Sequence, residues 1–221
     1  MKVKVCGMRA LENIEKVAAL KPDYMGFIFW EPSKRYFQGS IPALPLEILR
    51  VGVFVDASVG DILEKAIQMP LDLIQLHGTE SVHYCAQLRE KLALQPTALQ
   101  KSTPNCKIIK AFSVGSSFNF DSLHAYEPYC DYFLFDTKGP MPGGNGSRFN
   151  WELLSAYNSD IPFFLSGGIG LEDVPQLTDF LSSPMAQKCH AIDVNSKFEI
   201  RPGLKNTEDL QNFLKKIRLE N

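Results

Sequence analysis

Cys6 follows a short strand-like run, Val3-Lys4-Val5, and is succeeded at once by Gly7, Met8 and Arg9. A thiol at the carboxyl end of a strand, beside a glycine turn, is placed for chemistry as well as for packing. Other residues close apolar runs in the same way: Asp56, His77, Phe112, Asp136, Ser166 and Asp193. Each has a plainer reading beside the chemical one. A buried cysteine is commonly a small hydrophobe, and Asp56 and Asp136 suit turn or helix capping as well as a site. His77, just before Gly78, suits a turn as well as a ligand contact. Of the remaining thiols, Cys106, Cys130 and Cys189 precede apolar runs and Cys85 falls in a helical pattern, so only Cys6 stands on the side where strands end.

Small residues cluster at two later strand ends. Leu165-Ser166-Gly167-Gly168-Ile169 would let backbone N–H groups approach an anion, and Asp193-Val194-Asn195-Ser196 would complete a cradle, although Gly167 and Gly168 also suit a simple tight turn. Gly168-Ile169-Gly170 lacks the rest of a dinucleotide fingerprint, and no Walker loop is present.

Positioning such residues together requires a fold whose strand ends converge. Short β-branched or aromatic runs alternate with helix-period segments along nearly the whole chain, which predicts successive βα units and a parallel sheet. About eight strands are legible: Val3 to Val5, Tyr24 to Phe29, Val51 to Val55, Leu73 to Leu76, Ile108 to Ala111, Tyr132 to Phe135, Phe163 to Leu165, and Ala191 to Ile192. Helices are predicted over Ala10 to Leu20, with Leu11, Ile14, Val17 and Ala18 on one face, then Leu46 to Arg50, Val59 to Gln68, Ser81 to Leu92 and Ser122 to Tyr126. Trp151 to Tyr157, Leu171 to Leu181 and Thr207 to Arg218 follow, the last with Thr207-Glu208-Asp209 as cap and acidic first turn. The fold expected is a single (βα)8 TIM barrel occupying residues 1–221 as one domain, with the site at the carboxyl ends of the strands.

Two connectors are long, Trp30 to Pro45 and Thr137 to Asn150. The second carries Gly139, Gly143, Gly144 and Gly146 and reads as a lid. Gln95 to Pro104 reads as a polar insertion.

Composition narrows the function classes. With 45% hydrophobic and 22% charged residues the chain can bury a large core, and a formal net charge of −2 with scattered cations excludes a polyanion-binding stripe, hence no nucleic-acid partner. Five widely spaced cysteines without a CxxC pair predict reduced thiols, a cytoplasmic setting and no metal site of that kind. No apolar stretch reaches about 18 residues and no signal-peptide pattern opens the chain, so neither membrane insertion nor secretion is expected. Both a monomer and a homodimer agree with the sequence.

The motifs together resemble the phosphoribosylanthranilate isomerase family of tryptophan biosynthesis. They are Lys4-Val5-Cys6-Gly7-Met8-Arg9, Gly26-Phe27-Ile28-Phe29 with Ser33-Lys34-Arg35, Ile74-Gln75-Leu76-His77-Gly78-Thr79-Glu80 and Phe135-Asp136-Thr137. Gly143-Gly144-Asn145-Gly146, Leu165-Ser166-Gly167-Gly168-Ile169 and Asp193-Val194-Asn195-Ser196-Lys197-Phe198-Glu199 continue the match. Where the family's last motif usually reads Ser-Gly-Val-Glu, this chain has Ser196-Lys197-Phe198-Glu199, placing a lysine beside the phosphate site.

The resemblance implies an Amadori rearrangement of a small phosphorylated substrate, with no cofactor. It implies Asp136 as general acid and Cys6 as general base, with Arg9 or a helix amino terminus favouring the thiolate. Arg35 would hold the anthranilate carboxylate, His77 and Asp193 would contact the substrate, and Gly167, Gly168, Asn195 and Ser196 would bind phosphate. Gly144 and Gly146 would belong to a closing loop. Competing readings are another phosphate-binding barrel enzyme, which would call for a strand-end lysine or metal cluster, and a noncatalytic binder of a phosphorylated metabolite.

Overall fold

Alternation along each short strand decides which side chains enter the interior of the sheet and which meet the helices around it. The computed structural model describes residues 1–94, 106–137 and 149–219. Eight strands, each parallel to its neighbours, close into a barrel in sequence order: β1 (Lys2–Val5), β2 (Tyr24–Ile28), β3 (Leu49–Phe54), β4 (Leu73–Leu76), β5 (Lys107–Val114), β6 (Tyr132–Thr137), β7 (Phe163–Leu165) and β8 (Cys189–Val194). β8 pairs back onto β1 from Lys2↔Ala191 to Val5↔Val194. This is the expected eight-stranded parallel barrel. Among the described residues no helix is long and apolar enough to cross a membrane.

Inside the barrel, Tyr24, Val51, Val53, Leu73, Ile109, Leu134 and Phe164 pack on one another. Their neighbours in sequence point outward: Val3, Val5, Phe27, Ile74, Phe133, Phe135, Phe163 and Ile192 join Ile14, Val17, Ile62, Leu88, Leu177 and Phe213 of the helices in the outer core. Each such buried side chain contributes about 1.5–3 kcal/mol by leaving water.

The helical layer is uneven. The α-helices are α1 (Leu11–Ala19), α2 (Val59–Gln68), α3 (Val82–Ala93), α4 (Val174–Leu181) and α5 (Thr207–Leu219). No helix forms over Leu46 to Arg50. Pro42 and Pro45 leave too little chain to nucleate one, and Leu49 and Arg50 instead pair with Tyr24 and Met25 as the start of β3. The segments expected as helices after β5 and β6 are 3₁₀ turns, Phe120–Ala125 and Trp151–Ala156, opened by Asn119 and Asn150, whose side chains accept from Asp121 N and Glu152 N. In α1 the buried residues are Asn13, Ile14, Val17 and Ala18, while Leu11 at the first turn stays exposed. The cap of α5 is Asn206 rather than Thr207: its Oδ1 accepts from Glu208 N and Asp209 N at 3.1 and 3.3 Å. After β8 a small antiparallel hairpin, β9 (Glu199–Arg201) and β10 (Leu204–Lys205), folds over the barrel's carboxyl mouth.

Candidate active site

Extending the inward alternation past the apolar layers leads directly to a pocket at the carboxyl ends of the strands. It is lined by Cys6, Ile28, Trp30, Ser33, Arg35, Val53, Val55, Gln75, His77, Asp136, Ser166, Gly167, Gly168, Ile169, Asp193, Asn195, Ser196 and Lys197, and encloses about 660 Å³ counting its open mouth. The strand-end residues Cys6, His77, Asp136, Ser166 and Asp193 meet there, together with Arg35, Gly167, Gly168, Asn195 and Ser196.

Beneath the pocket lies a charged floor. Lys4 is fully buried, and its Nζ donates to Asp193 Oδ1 at 2.9 Å; Ser166 Oγ lies 3.4 Å from the other carboxylate oxygen. Burial alone would lower the lysine's proton affinity, but the Asp193 carboxylate and the neighbouring Cys6 outweigh it, leaving Lys4 above its ordinary value. Burial pushes the Cys6 thiol up; Lys4 and, more weakly, Lys205 oppose that, while Asp193 adds to it. The cations that favour a Cys6 thiolate are therefore Lys4 and Lys205. Arg9 instead donates to Lys34 O at 3.3 Å at the exposed rim. Room for the thiol comes from Gly26, where a Cβ would lie 2.8 Å from Cys6 Sγ.

Across the floor, His77 Nε2 stands 3.2 Å from Asp136 Oδ2, and Thr137 N donates to Asp136 Oδ1 at 2.9 Å. Asp136 is 5% exposed, and both carboxylate oxygens meet a nitrogen before any ligand is present.

Arg35 is delivered by the connector after β2, which folds back so that Phe37 N donates to Ile28 O at 2.8 Å and Arg35 N to Ser33 Oγ at 3.1 Å. Its guanidinium is forked by Glu199 from the hairpin: Nε reaches both carboxylate oxygens at 2.9 and 3.0 Å, and Nη2 reaches Oε2 at 2.7 Å. Burial would raise Glu199, but Arg35 and Lys205 outweigh it and hold the carboxyl below its usual range. Among the described residues Glu199 takes only the side edge of the fork, which leaves the Nη1–Nη2 edge able to take a second, planar carboxylate.

At the opposite wall, Gly167 and Gly168 have φ of 100° and 63°, left-handed conformations that favour glycine. Ser196 and Lys197 open a short 3₁₀ turn after β8. Lys205 Nζ donates to Asn195 Oδ1 and O at 2.7 and 3.2 Å, which leaves the Asn195 Nδ2 end as a donor. Lys197 borders the pocket and ties its ammonium to Glu172 Oε1 at 3.1 Å, joining the loops after β7 and β8.

Two members of the strand-end set lie apart from this pocket's lining. Asp56, at φ 49°, accepts from Thr79 N at 2.6 Å and Thr79 Oγ1 at 3.0 Å, so its carboxylate braces two loops together. Phe112 lies within β5 and packs edge-on against Phe118, Tyr126 and Phe133. Asp136 and Asp193 likewise fall inside β6 and β8 rather than after them, because both strands extend further than their apolar runs. Gly144 and Gly146 of the anticipated lid, and the insertion at Gln95 to Pro104, lie outside the described residues. Reading strand ends alone missed Lys4, Gln75, Glu199 and Lys205. The first two carried a signal, since each lies two residues before Cys6 or His77 and so shares its inward face.

These features define a class: a parallel (βα)8 barrel whose carboxyl mouth gathers a thiol, a carboxyl, an arginine fork and a glycine-lined wall in one pocket. The family model for N-(5'-phosphoribosyl)anthranilate (PRA) isomerase matches residues 3–216, and the chain belongs to that family. It is 40% identical over 223 residues to N-(5'-phosphoribosyl)anthranilate isomerase of Parabacteroides distasonis, covering 98% of this chain and 93% of the relative. Among solved structures, the phosphoribosyl anthranilate isomerase of Thermotoga maritima superposes with a TM-score of 0.76 at 31% identity, covering 99% of this chain and 98% of that one. Another phosphoribosyl anthranilate isomerase, solved in complex with reduced 1-(o-carboxyphenylamino)-1-deoxyribulose 5-phosphate, gives 0.73 at 29% identity with the same coverage.

Proposed function

We infer that this protein is an aldose–ketose isomerase of tryptophan biosynthesis, converting N-(5-phosphoribosyl)anthranilate into 1-(2-carboxyphenylamino)-1-deoxyribulose 5-phosphate within a single barrel domain. The observation that carries the reading is the convergence of Cys6, Asp136 and Arg35 in one pocket of a chain matched to the family through residues 3–216.

The substrate's phosphate sits against Gly167, Gly168, Asn195 and Ser196, with Lys197 beside them supplying charge. Its anthranilate carboxylate takes the free edge of Arg35. His77 and Asp193 line the sugar between these anchors. Asp136 protonates the furanose ring oxygen, the C1–O bond breaks, and the nitrogen lone pair forms the Schiff base. Cys6 then removes the C2 proton, and the resulting enolamine relaxes to the ketone, so one proton enters and one leaves. Lys4 beneath the thiol partly opposes the burial that raises Cys6. A similar enzyme holding a reduced form of this same product supports the choice of substrate. Five unpaired thiols suit the reducing conditions of the cytoplasm.

Purified protein supplied with freshly generated substrate should consume it, as followed by loss of anthranilate-type fluorescence after subtracting spontaneous hydrolysis. Cys6→Ser and Asp136→Asn should each lower kcat by about 10²–10⁴ with an unchanged circular dichroism spectrum. Near-native kcat in either variant overturns that residue's assignment, and an inactive wild type overturns the activity.

A further inference from the structure

Gln75 is 1% exposed, lies on β4 two residues before His77, and has no part in the proton transfers above. Its Nε2 stands 2.7 Å from His77 Nδ1, and the far side of the ring, Nε2, stands 3.2 Å from Asp136 Oδ2. We propose that Gln75 is a positioning residue that holds His77 as the neutral tautomer whose single ring proton, on Nε2, points at Asp136. The proposal rests on Asp136 being the acid.

The amide's direction decides the matter. With Nε2 donating to Nδ1, the atom of Gln75 left buried without a partner among the described residues is its oxygen, Oε1. The amide nitrogen that faces Nδ1 can only donate, so the ring nitrogen is the acceptor of this bond. An Nδ1 that accepts a hydrogen bond carries no proton, which makes the ring neutral and leaves its proton on Nε2.

A neutral donor is what an acid in this position needs. When Asp136 gives its proton to the ring oxygen, the nascent carboxylate finds the His77 Nε2–H on Oδ2 and the Thr137 N–H on Oδ1 already in place. An imidazolium at the same point would favour the carboxylate before substrate arrived and strip the proton that catalysis spends. The charged groups that face this ring are Asp136 on β6 and Asp193 on β8.

The test is the tautomer of His77 in the intact ¹⁵N-labelled protein, read from two-bond nitrogen–proton correlations and assigned by the signal lost in His77→Gln. The wild type should show a bare Nδ1 and a protonated Nε2. Gln75→Glu presents an acceptor to Nδ1 and should draw a proton there, with kcat falling roughly a hundredfold and KM changing by less than about threefold, as wrong-tautomer acid–base sites behave. Gln75→Leu should lose the tautomer preference and about tenfold in kcat. A protonated Nδ1 in the wild type, or an unchanged ring signal or kcat in Gln75→Glu, overturns the proposal. The wild-type spectrum needs no variant to fold, and it judges Gln75 separately from the Asp136→Asn rate, which judges the acid.

Discussion

Lys4 on β1 and Cys6 just past its end are two residues apart in one extended run, so both point into the barrel, and the lysine becomes the fixed counter-charge under the thiol. A fully buried ammonium is tolerated because Asp193 pairs with it, and Cys6 draws on the same charge. Removing the cation should push the thiol, already raised by burial, still higher. In Lys4→Met, Asp193 takes up a proton and the floor becomes neutral. The pH midpoint for alkylation of Cys6 by iodoacetamide should then rise, slowing alkylation at fixed pH, with a loss of kcat in the same direction. Alkylation measured against Cys6→Ser isolates the site, and an unmoved midpoint would show that Lys4 serves packing alone. Cys6 and His77 were legible as endings of apolar runs, whereas Lys4 and Gln75 carried only the weaker signal of their two-residue spacing, because a polar residue inside a run reads as a break in the pattern. The role of Glu199 depends on a hairpin contact across 164 residues that spacing does not encode.

Strands and loops divide the labour around the pocket. In the proposed reaction the strands and their ends hold the groups that would move protons, while the connectors after β2, β7 and β8 carry those that would hold the substrate's two anionic ends. Strand identity was readable from β-branched runs and their alternation. The 3₁₀ turns after β5 and β6 were not, since six residues of helical spacing look alike in either helix. The β7 loop shows how tightly these elements meet. A Cβ at Gly167 would collide with Thr137 Oγ1 and lie 2.9 Å from Thr137 N, the amide that donates to Asp136, while φ of 100° penalises any L side chain. Gly167→Ala should therefore destabilise the protein by about 1–3 kcal/mol in urea unfolding and also raise KM for the phosphorylated substrate about tenfold, because the wall and the acid's backbone donor shift together. Loss of stability with native KM would detach this loop from phosphate binding.

Over the whole barrel, chemistry gathers at the carboxyl mouth, and the amino-terminal mouth is left to stability. That end is plugged by rings. His190 at the start of β8 lies 4.6 Å from the Tyr132 centroid and 5.5 Å from Phe164, and its Nε2 meets Tyr24 OH at 2.7 Å. Burial, then Lys2 and Lys107, lower its pKa to about 4, with Asp23 weakly opposing. In the unfolded chain the same ring titrates near 6.5. Between those values the unfolded state binds a proton that the folded state refuses, so stability is full above about pH 6.5 and falls as pH drops toward 4. Discounted for the exposed part of the ring, the loss is about 1–2 kcal/mol, or about 2–8 °C in Tm for a domain of this size. His190→Gln keeps a partner for Tyr24 but cannot take up a proton. Between pH 7 and pH 4 its Tm should fall by that much less than the wild type's, since every other titrating group is common to both proteins. Parallel Tm curves would mean that the plug is indifferent to protonation and that acid sensitivity arises at the carboxylates of the opposite mouth.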